Sequence, residues 1–559
     1  MNIKQLISEK IKVEGVDSST IFEMLSVPPK SEMGDYALPC FSFAQILHCA
    51  PNQIAQNLAD SFKNDDLIEH AEVVNGYLNI YLNKNAVTKK IVDELTDKLN
   101  VCKNNSGNGK KICLDFSSVN IAKEPHIGHF ATTVIGASIA RLFENSGYQV
   151  VRMNYLGDYG SQFAKLLYAY NVWSSEKEIQ QGGVGALQKL YVRANEECDR
   201  NPEFLQKCRD TFKLFEQKDP QLVKTYEWFK KISIEESQRI LFEPLGINFD
   251  DWRGESYYSQ FTNDALEELK QKGLSKESQG ALIVDLEPYN LGVALVRQSN
   301  GTSLYCTRDI SAALHRHKEY NFDKCVWVTG QEQILYFKQL FKILELMGYD
   351  WAKNLIHIVN GRLSTPEGRL SSRLGSAALA KDIMADAIAK ASDVICARTG
   401  EKADKQLAKD IGLGALIFSV LKSDVSKDHV FVVNDALNFD GETAPYIMYT
   451  HARCCSILSR ATVGDETDYT EILDSSWELV KMLNECQETM LVAEQKHDPS
   501  IVAKYAVNLA TIFNKFYHDT KIIGNNIARQ NAGLKIVELV RRTLKQTLAI
   551  LGIAAPSKM

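Results

Sequence analysis

The pattern of apolar and polar positions divides the chain into three regions. Residues 1–105 mix amphipathic helix patterns with strand-like runs such as "AEVVNGYLNIYL", and the polar segment "CKNNSGNGKK" that follows is typical of a linker or exposed loop. From about residue 400 the pattern is helical apart from the short run "HVFVV", with apolar residues at helix spacing at Ile536, Leu539, Val540, Leu544, Leu548 and Leu551. We therefore expect domains at residues 1–105, 106–400 and 401–559, a number that suits a chain of 559 residues.

The central region has the pattern of a parallel α/β unit. "ICLDFSS" predicts a strand, "ATTVIGASIARLFENSG" a helix, and "YQVVRMNYLGDYG" a second strand that ends in a glycine-rich turn. The runs "ALIVDL", "KCVWVTG" and "LIHIVNG" predict further strands, and residues of about 165–245 are charged and helical in pattern, which indicates an insertion. The strand–helix–strand order predicts an α/β fold built on a parallel sheet.

Composition is that of an ordinary globular protein. Apolar residues make up 45% of the chain and charged residues 24%; no run approaches the ~18 apolar residues that span a bilayer, and the N-terminal pattern is not a secretory signal. We expect a cytoplasmic protein without a membrane partner. The net charge of −6 argues against indiscriminate DNA binding. The 12 cysteines include no C-x-x-C pair, so we expect reduced thiols and no structural zinc.

The segment "IAKEPHIGHF" (121–130) concentrates unusual chemistry at the predicted start of a helix. Pro125 suits a first helical turn, and His126 and His129 share one face of that turn. Unpaired N–H groups and the helix dipole attract anions there, and imidazoles can donate hydrogen bonds to phosphate oxygens. Gly128 would let a flat ring lie against the backbone. The pattern predicts a nucleotide polyphosphate site at the carboxyl ends of the strands; the alternative is a helix start with two incidental histidines.

Longer segments resemble one enzyme family. "DFSSVNIAKEPHIGHF" resembles the HIGH signature of class I aminoacyl-tRNA synthetases, in the version found in arginyl-tRNA synthetases. Further segments similar to that family are "VVRMNYLGDYGSQFAKLL", "NGTSLYCTRDISAALHR", "VWVTGQEQILYFKQLFKILELMGY", "GETAPYIMYTHARCCSIL", "LAILGIAAPSKM" and, near the N-terminus, "PPKSEMGDYALPCFSFA". The resemblance implies a Rossmann-like catalytic domain, an α+β N-terminal domain that contacts tRNA, and an all-α anticodon-binding domain.

The same resemblance implies an activity. Such an enzyme joins L-arginine to AMP from ATP, with Mg²⁺ accompanying the ATP, and passes the arginyl group to the terminal ribose of tRNA(Arg). Its first step needs no protein nucleophile, because positioning and neutralisation of phosphate charge supply most of the catalysis. We expect a monomer whose partners are arginine and tRNA(Arg).

The nucleotide residues implied by the resemblance include one departure from the family. The second family signature, K-M-S-K-S, corresponds here to "RLSSR", in which Ser372 replaces the second lysine. Lys123, just before the HIGH motif, offers the missing cation, unless it is an ordinary solvated loop lysine. The implied ATP-binding residues are His126, Gly128, His129, Arg369, Ser371 and Ser372, and the implied catalytic residues are Lys123, His126, His129, Ser371 and Arg373.

Recognition of arginine needs carboxylates, which match the fork of guanidinium donors. The residues implied to bind arginine are Asp115, Asn120, His129, Tyr305, Asp309 and Gln333. Asp115 and Asp309 would hold the guanidinium, while Asn120 and Gln333 would hold the amino and carboxylate groups. The alternative makes Asp309 a charge at a helix start and Tyr305 a core residue. Tyr336 stands where the family usually has histidine.

Contacts with tRNA are expected in the last region. The resemblance implies anticodon contacts at Tyr446, Tyr449, Tyr517 and Met559, where aromatic rings could stack on unpaired bases, although these tyrosines could instead be core. Between Arg529 and Met559 positive residues outnumber the single Glu538, which suits phosphates or an ordinary solvated helix face.

Three rival functions are open. A class I synthetase for another amino acid would often carry a zinc-binding cysteine cluster. A small-molecule ligase of the same superfamily has no reason for a helical RNA-binding domain. A non-catalytic RNA-binding paralogue is supported by the altered "RLSSR" segment and opposed by the intact His126, His129, Asp115 and Asp309.

Overall fold

The computed structural model describes residues 3–298, 305–364, 378–430, 432–439 and 441–559. The N-terminal region packs helices on a three-stranded antiparallel sheet of order β1-β3-β2. Its elements are α1 (Ile3–Lys10), α2 (Ser18–Met24), β1 (Tyr36–Pro39), α3 (Ala44–Leu47), α4 (Pro51–Ser61), β2 (Ile68–Val74), β3 (Tyr77–Leu82) and α5 (Lys84–Asp97). The strands predicted in "AEVVNGYLNIYL" are confirmed as β2 and β3.

The segment between the first two regions is packed rather than loose. Cys102 and Asn104 are buried, and the Asn104 side-chain amide donates to the Ser146 hydroxyl at 3.1 Å. A Cβ at Gly107 would overlap the ring of Tyr148. The prediction of a linker or exposed loop is therefore wrong for these positions, because small residues here allow close packing.

The predicted strand–helix–strand unit is confirmed as β4 (Lys111–Asp115), α6 (Ile127–Asn145) and β5 (Gln149–Met153). Four of the five β4 residues are buried, as expected for a central parallel strand covered on both faces. Most of α6 is buried as well. The first signature segment thus lies between a central strand and a core helix.

Four helices follow as the predicted helical insertion: α7 (Ser161–Trp173), α8 (Glu176–Arg200), α9 (Pro202–Glu216) and α10 (Pro220–Ser237), which continues into a π-helical turn at Gln238–Phe242. Asn201 and Asp219 cap α9 and α10, each directly before a proline, a combination that favours helix starts. The insertion packs around an apolar cluster that contains Leu187 and Phe229 and also takes in Ile121 and Ala122 from the loop before α6.

The rest of the central region completes two sheets. Its elements are α11 (Glu255–Tyr258), α12 (Thr262–Gln271), β6 (Ser275–Ser278), β7 (Ala281–Asp285), β8 (Val293–Arg297), α13 (Tyr305–Tyr320), β9 (Lys324–Gly330), α14 (Ile334–Leu346), β10 (Leu355–Asn360) and β11 (Leu363–Ser364). The run "ALIVDL" is strand β7, in the antiparallel sheet β6-β7-β8. The parallel sheet has the order β10-β9-β4-β5, so the chain reverses its winding direction between β4 and β9.

The last region is helical. Its elements are α15 (Ala380–Thr399), α16 (Lys405–Leu421), β12 (His429–Val430), α17 (Val433–Ala436), α18 (Ala444–Leu458), α19 (Leu473–Asn484), α20 (Cys486–Lys496), α21 (Ser500–Asp519) and α22 (Ile527–Leu551). The strand β12 pairs with β11. The six apolar positions predicted to share a helix face are all buried on α22.

One apolar core joins regions that are distant in the sequence. It continues from Ile7 in α1 through Leu114 in β4 to Leu548 in α22. A second cluster covers the opposite face of the parallel sheet, including Cys113 and Leu340. In the described part of the chain, no helix combines the length and apolar character needed to cross a membrane.

Candidate active site

A cavity of about 1100 Å³ opens at the carboxyl ends of the parallel strands. Asp115 and Ser117 reach it from β4, Thr329 and Gly330 from β9, and Asn360 from β10. This is the position at which the winding of the sheet reverses, and open α/β sheets bind ligands at such positions.

His126 and His129 form the start of α6 on one wall of this cavity. His126 is the N-cap residue, and its Nδ1 accepts from the Gly128 N–H at 3.1 Å, while His129 Nδ1 accepts from the His126 N–H at 3.2 Å. The prediction that Pro125 lies in the first helical turn is wrong. Pro125 lies just before the N-cap residue His126, and the helix itself begins at Ile127. A Cβ on Gly128 would come within 2.9 Å of His126 Cε1, which explains the glycine.

The electrostatics keep both rings neutral. Burial, and then the charges of His126 and Lys123, lower the pKa of His129 to about 3; burial and Lys123 also lower the pKa of His126. Because each Nδ1 accepts a hydrogen bond, the proton of each neutral ring sits on Nε2. Two N–H donors are thus available beside the unpaired N–H groups of a helix N-terminus, which is a suitable arrangement for phosphate oxygens.

The loop from β4 to α6 is held in an unusual backbone conformation. Ser117, Ser118 and Ala122 have φ values of 71°, 46° and 59°, which are costly for residues with a side chain. The Ser117 hydroxyl accepts from that of Thr133 at 2.7 Å, and the Ala122 N–H donates to the Ser233 hydroxyl at 2.9 Å. Backbone strain of this kind is concentrated at functional sites.

Asp115 lines the cavity but is already bonded within the protein. Its Oδ2 accepts from Arg316 at 2.7 Å, and both side chains are 2% exposed. Its Oδ1 accepts from the Tyr155 N–H at 3.3 Å. The Asp115 carboxylate, which was predicted to bind the guanidinium of the substrate, therefore binds the guanidinium of Arg316 instead. The two residues are 201 positions apart, so the sequence pattern gives no indication of the pair.

Asp309 lies in the same cavity and is bonded to a tyrosine. The Tyr336 hydroxyl donates to its Oδ2, and among the described residues Asp309 takes part in no ion pair, while burial raises its pKa. Tyr305 lines the same cavity with a side chain that is 54% exposed, and its ring centroid lies 5.0 Å from that of Tyr336. Tyr305 is therefore not a core residue.

Glu255, at the start of α11, is a cavity residue that the sequence analysis missed. Its Oε2 lies 2.9 Å from Arg308 Nη2. Burial raises the pKa of Glu255 to about 7, with further raising by Asp309 and Asp158 and opposition from Arg308. The sequence signal that could have identified it is an acid directly after a glycine in "RGESYY". A Cβ on Gly254 would overlap the carbonyl oxygen of Leu156, so the glycine allows Glu255 to lie close to the turn that follows β5.

The remaining predicted arginine-binding residues are brought to the same cavity. Asn120 and Gln333 both line it. Asn120 pairs through its backbone with Gly157, and its side-chain oxygen lies against that glycine. Eight predicted residues thus surround one space with Glu255: Asp115, Asn120, His126, Gly128, His129, Tyr305, Asp309 and Gln333.

Lys123 lies outside the residues that line the cavity, with its Nζ 5.5 Å from the ring centroid of Tyr191 in α8. Four predicted residues, Arg369, Ser371, Ser372 and Arg373, fall outside the described residues. Of the described residues that flank that segment, Ser364 lines the cavity, and the Ala378 carbonyl accepts from the Ile127 N–H at the start of α6 at 3.1 Å.

A second cleft, of about 640 Å³, lies in the helical region. Tyr449, Tyr517 and Met559 line it together with Arg453 and Lys558. The Arg453 guanidinium lies 5.0 Å and 5.1 Å from the two ring centroids of Tyr449 and Tyr517. Three of the four residues predicted to contact tRNA therefore share one cleft.

Tyr446 is not part of that cleft, because its hydroxyl accepts from Asn514 at 3.0 Å inside the helix bundle. Several positive side chains of α22 are also occupied within the protein. Arg541 bonds Glu538 at 2.6 Å, and Arg542 donates to the Thr96 carbonyl at 3.2 Å. This part of α22 therefore contacts α5 and its own turn.

The described residues contain no group of His, Cys, Asp or Glu side chains arranged to hold a metal ion. All cysteines are free thiols, most of them buried.

Comparison with known proteins agrees with this architecture. The model for the catalytic domain of class I (R) tRNA synthetases matches residues 90–433, the DALR anticodon binding domain residues 447–559, and the arginyl tRNA synthetase N terminal domain residues 1–82. The arginine–tRNA ligase of Clostridioides difficile is 39% identical, covering 98% of each chain, and that of Alkaliphilus metalliredigens is 38% identical over 100% of each. The Thermus thermophilus arginyl-tRNA synthetase structure has the same fold, with a TM-score of 0.80 at 24% identity, covering 100% of this chain and 99% of that one. A site of this geometry, three matching domains and relatives similar over their full length lead to one conclusion: the chain belongs to the arginyl-tRNA synthetase family of class I.

Proposed function

We propose that this protein is an arginine–tRNA ligase, which activates arginine with ATP and transfers it to the terminal ribose of tRNA(Arg). One observation carries the proposal: a single cavity has two neutral imidazole donors at a helix start and, among its lining residues, the carboxylate of Asp309 without an ion-pair partner. The first feature suits phosphate and the second a cationic side chain.

The activation step is proposed to take place beside His126 and His129, which position the phosphates. An arginine carboxylate oxygen attacks the α-phosphorus of ATP, a P–O bond to that carboxylate forms, and the bond to the β-phosphate oxygen breaks, so that pyrophosphate leaves with the electron pair. His126 and His129 donate from Nε2 to phosphate oxygens as negative charge moves toward pyrophosphate. Mg²⁺, when bound with ATP, neutralises phosphate charge, and phosphate and water oxygens are expected to supply most of its ligands.

The cationic side chain of arginine is held at the opposite end. Asp309 accepts guanidinium N–H bonds, and Glu255 provides a second carboxylate nearby. Arg316 neutralises Asp115, so Asp115 serves by holding Arg316 and the Tyr155 backbone in place. Tyr305 offers an aromatic face for the planar guanidinium. Asn120, His129 and Gln333 are proposed to hold the amino and carboxylate groups.

Lys123 is proposed to supply the cation that Ser372 lacks. Its ammonium is close enough to lower the pKa of both histidines, which supports a place near the triphosphate. Four rotatable side-chain bonds let it move from Tyr191 toward the cavity. Arg369, Ser371 and Arg373 remain proposed contacts from the second signature.

Contacts with tRNA(Arg) are proposed at two surfaces. The cleft of Tyr449, Tyr517 and Met559 suits stacking of unpaired bases beside the positive Arg453. In the N-terminal region, Phe41 and Tyr77 are 48% and 43% exposed and pack edge to face, which suits a second contact with single-stranded RNA. We propose no DNA contact, a monomer, and activity in the cytosol, where free thiols persist.

Aminoacylation of total tRNA tests the function. The purified protein, ATP, Mg²⁺ and total tRNA are incubated with each amino acid in turn, and charging is measured on acid gels. Charging with arginine alone is expected. Failure to charge any tRNA, with retained tRNA binding, would instead favour the RNA-binding paralogue.

A further inference from the structure

The helical insertion contacts the backbone on both sides of Lys123. The Ala122 N–H donates to the Ser233 hydroxyl of α10 at 2.9 Å, and the Glu124 N–H donates to Gln188 Oε1 of α8 at 2.8 Å. Tyr191, one turn after Gln188, places its ring under the Lys123 ammonium. Three side chains from two insertion helices thus converge on three consecutive residues.

The opposite side of the same segment is tied to the chain that follows the second signature. The Ile127 N–H donates to the Ala378 carbonyl at 3.1 Å, and the Ala380 N–H donates to the Pro125 carbonyl at 3.0 Å. Lys381 also forms an ion pair with Glu124. Residues 122–127 are therefore fixed between the insertion and the start of α15.

We propose that Gln188 and Ser233 are positioning residues for Lys123, so that the insertion sets where this cation meets the triphosphate. The proposal rests on the role proposed for Lys123 above. Ala122 has a φ of 59°, and a residue in this left-handed conformation turns the chain sharply, so the direction of the Lys123 Cα–Cβ bond depends on how its two neighbours are held. Hydrogen bonds to the N–H groups on either side restrict that direction. A long side chain amplifies any error at its base, and misplacement by about 1 Å has large effects on catalysis.

Gln188 is the better position to test, because it is only partly buried. Gln188→Met keeps the length and removes the acceptor, whereas Gln188→Glu keeps an acceptor oxygen. In ATP–pyrophosphate exchange with arginine and tRNA, Gln188→Met is expected to lower kcat/KM for ATP by about 3- to 10-fold, the effect of one hydrogen bond, with KM for arginine within about twofold. Gln188→Glu is expected to recover most of that loss. Gln180→Met, in the first part of α8 before its break at Gly183 and hydrogen-bonded to Glu176, is the matched control. An unchanged kcat/KM in Gln188→Met would overturn the proposal.

A double variant separates positioning from general damage. In a Lys123→Ala background, Gln188→Met is expected to have almost no further effect, because the cation it positions is gone. A full additional loss in that background would overturn the proposal. If Lys123→Ala alone left exchange unchanged, the inference would fall together with the Lys123 assignment, whereas arginine charging of tRNA would still stand. Thermal melts confirm that each variant is folded.

Discussion

At the scale of single residues, Asp309 is the carboxylate that we propose recognises arginine. It is held by Tyr336 and is in no ion pair among the described residues. Asp309→Asn is expected to raise KM for arginine about 30- to 150-fold, since losing one partner of a charged hydrogen bond costs ~2–3 kcal/mol. Steady-state aminoacylation at varied arginine measures this. Asp285→Asn, at a carboxylate paired with Lys276 on β6, is the control, and an equal rise in KM there would contradict the assignment.

Glu255 is the group that we expect to give the site a pH dependence. Its pKa of about 7 results mainly from burial, and a bound guanidinium favours the charged form. We expect kcat/KM for arginine to rise with pH up to about 7 and then level off, and saturating arginine to lower the apparent pKa. Because the folded pKa lies above the ordinary 4.5, this group opposes folding increasingly as the pH rises from about 4.5 to 7.

The measurement is a pH profile of arginine-dependent exchange for the wild type and for Glu255→Gln. The variant is expected to lose the rise near pH 7 while remaining folded. A rise that persists unchanged in Glu255→Gln would assign the titration to another group.

Tyr336 occupies the position at which the family usually has histidine, and its contact with Asp309 gives this tyrosine a role. Its hydroxyl donates to Asp309, so Tyr336→Phe is expected to raise KM for arginine about 3- to 10-fold and to leave KM for ATP unchanged. Tyr289→Phe, at an exposed ring, serves as the control. The same kinetics measure both substrates, and an effect on ATP alone would exclude this role.

Secondary-structure elements explain why parts of the site could be predicted and others could not. Local apolar runs identified β4, β5, β9 and β10, and the strand-to-helix order located His126 and His129 at their carboxyl ends. The pairing of Asp115 with Arg316 and the place of β7 in a separate antiparallel sheet depend on contacts between distant segments, which no local pattern specifies. Gly254 and Glu255 were missed because their significance comes from close approach to the β5 turn.

His126 caps α6 and is also proposed to bind phosphate, and a substitution can separate these two roles. Asn caps helices well, so His126→Asn is expected to change the free energy of unfolding by less than about 1 kcal/mol. It removes the Nε2 donor, so ATP–pyrophosphate exchange is expected to fall about 100-fold. Thermal melts and exchange assays measure the two effects, with His70→Asn at a largely exposed histidine as the control. A loss of activity that only follows the loss of folded protein would mean that His126 acts as a cap alone.

Because one apolar core spans all three regions, a core substitution in one region is expected to destabilise the others. Helix α22 packs against both α5 and α6, and Leu544 is fully buried there. Leu544→Ala is expected to lower the free energy of unfolding by about 2–5 kcal/mol and to increase hydrogen exchange in α5 as well as in α22. Leu214→Ala, at a side chain 49% exposed in the insertion, is the control. Unchanged exchange in α5 would show that the N-terminal region is stabilised independently.

The segment at residues 102–107, in which Cys102, Asn104 and Gly107 are buried, determines where relatives of this chain could be recombined. A crossover there would combine this segment with mismatched surfaces of α6 and α22, because the Cys102 carbonyl accepts from Asn145 and the Cys102 N–H donates to Gln546. Hybrids are better joined at the borders of the insertion, because its apolar cluster includes just two buried residues from elsewhere in the described chain, Ile121 and Ala122. A chimera that exchanges only the N-terminal or the C-terminal region would place side chains from two different proteins in the shared apolar core. We expect such a core to pack poorly even where each region is similar between the two donors.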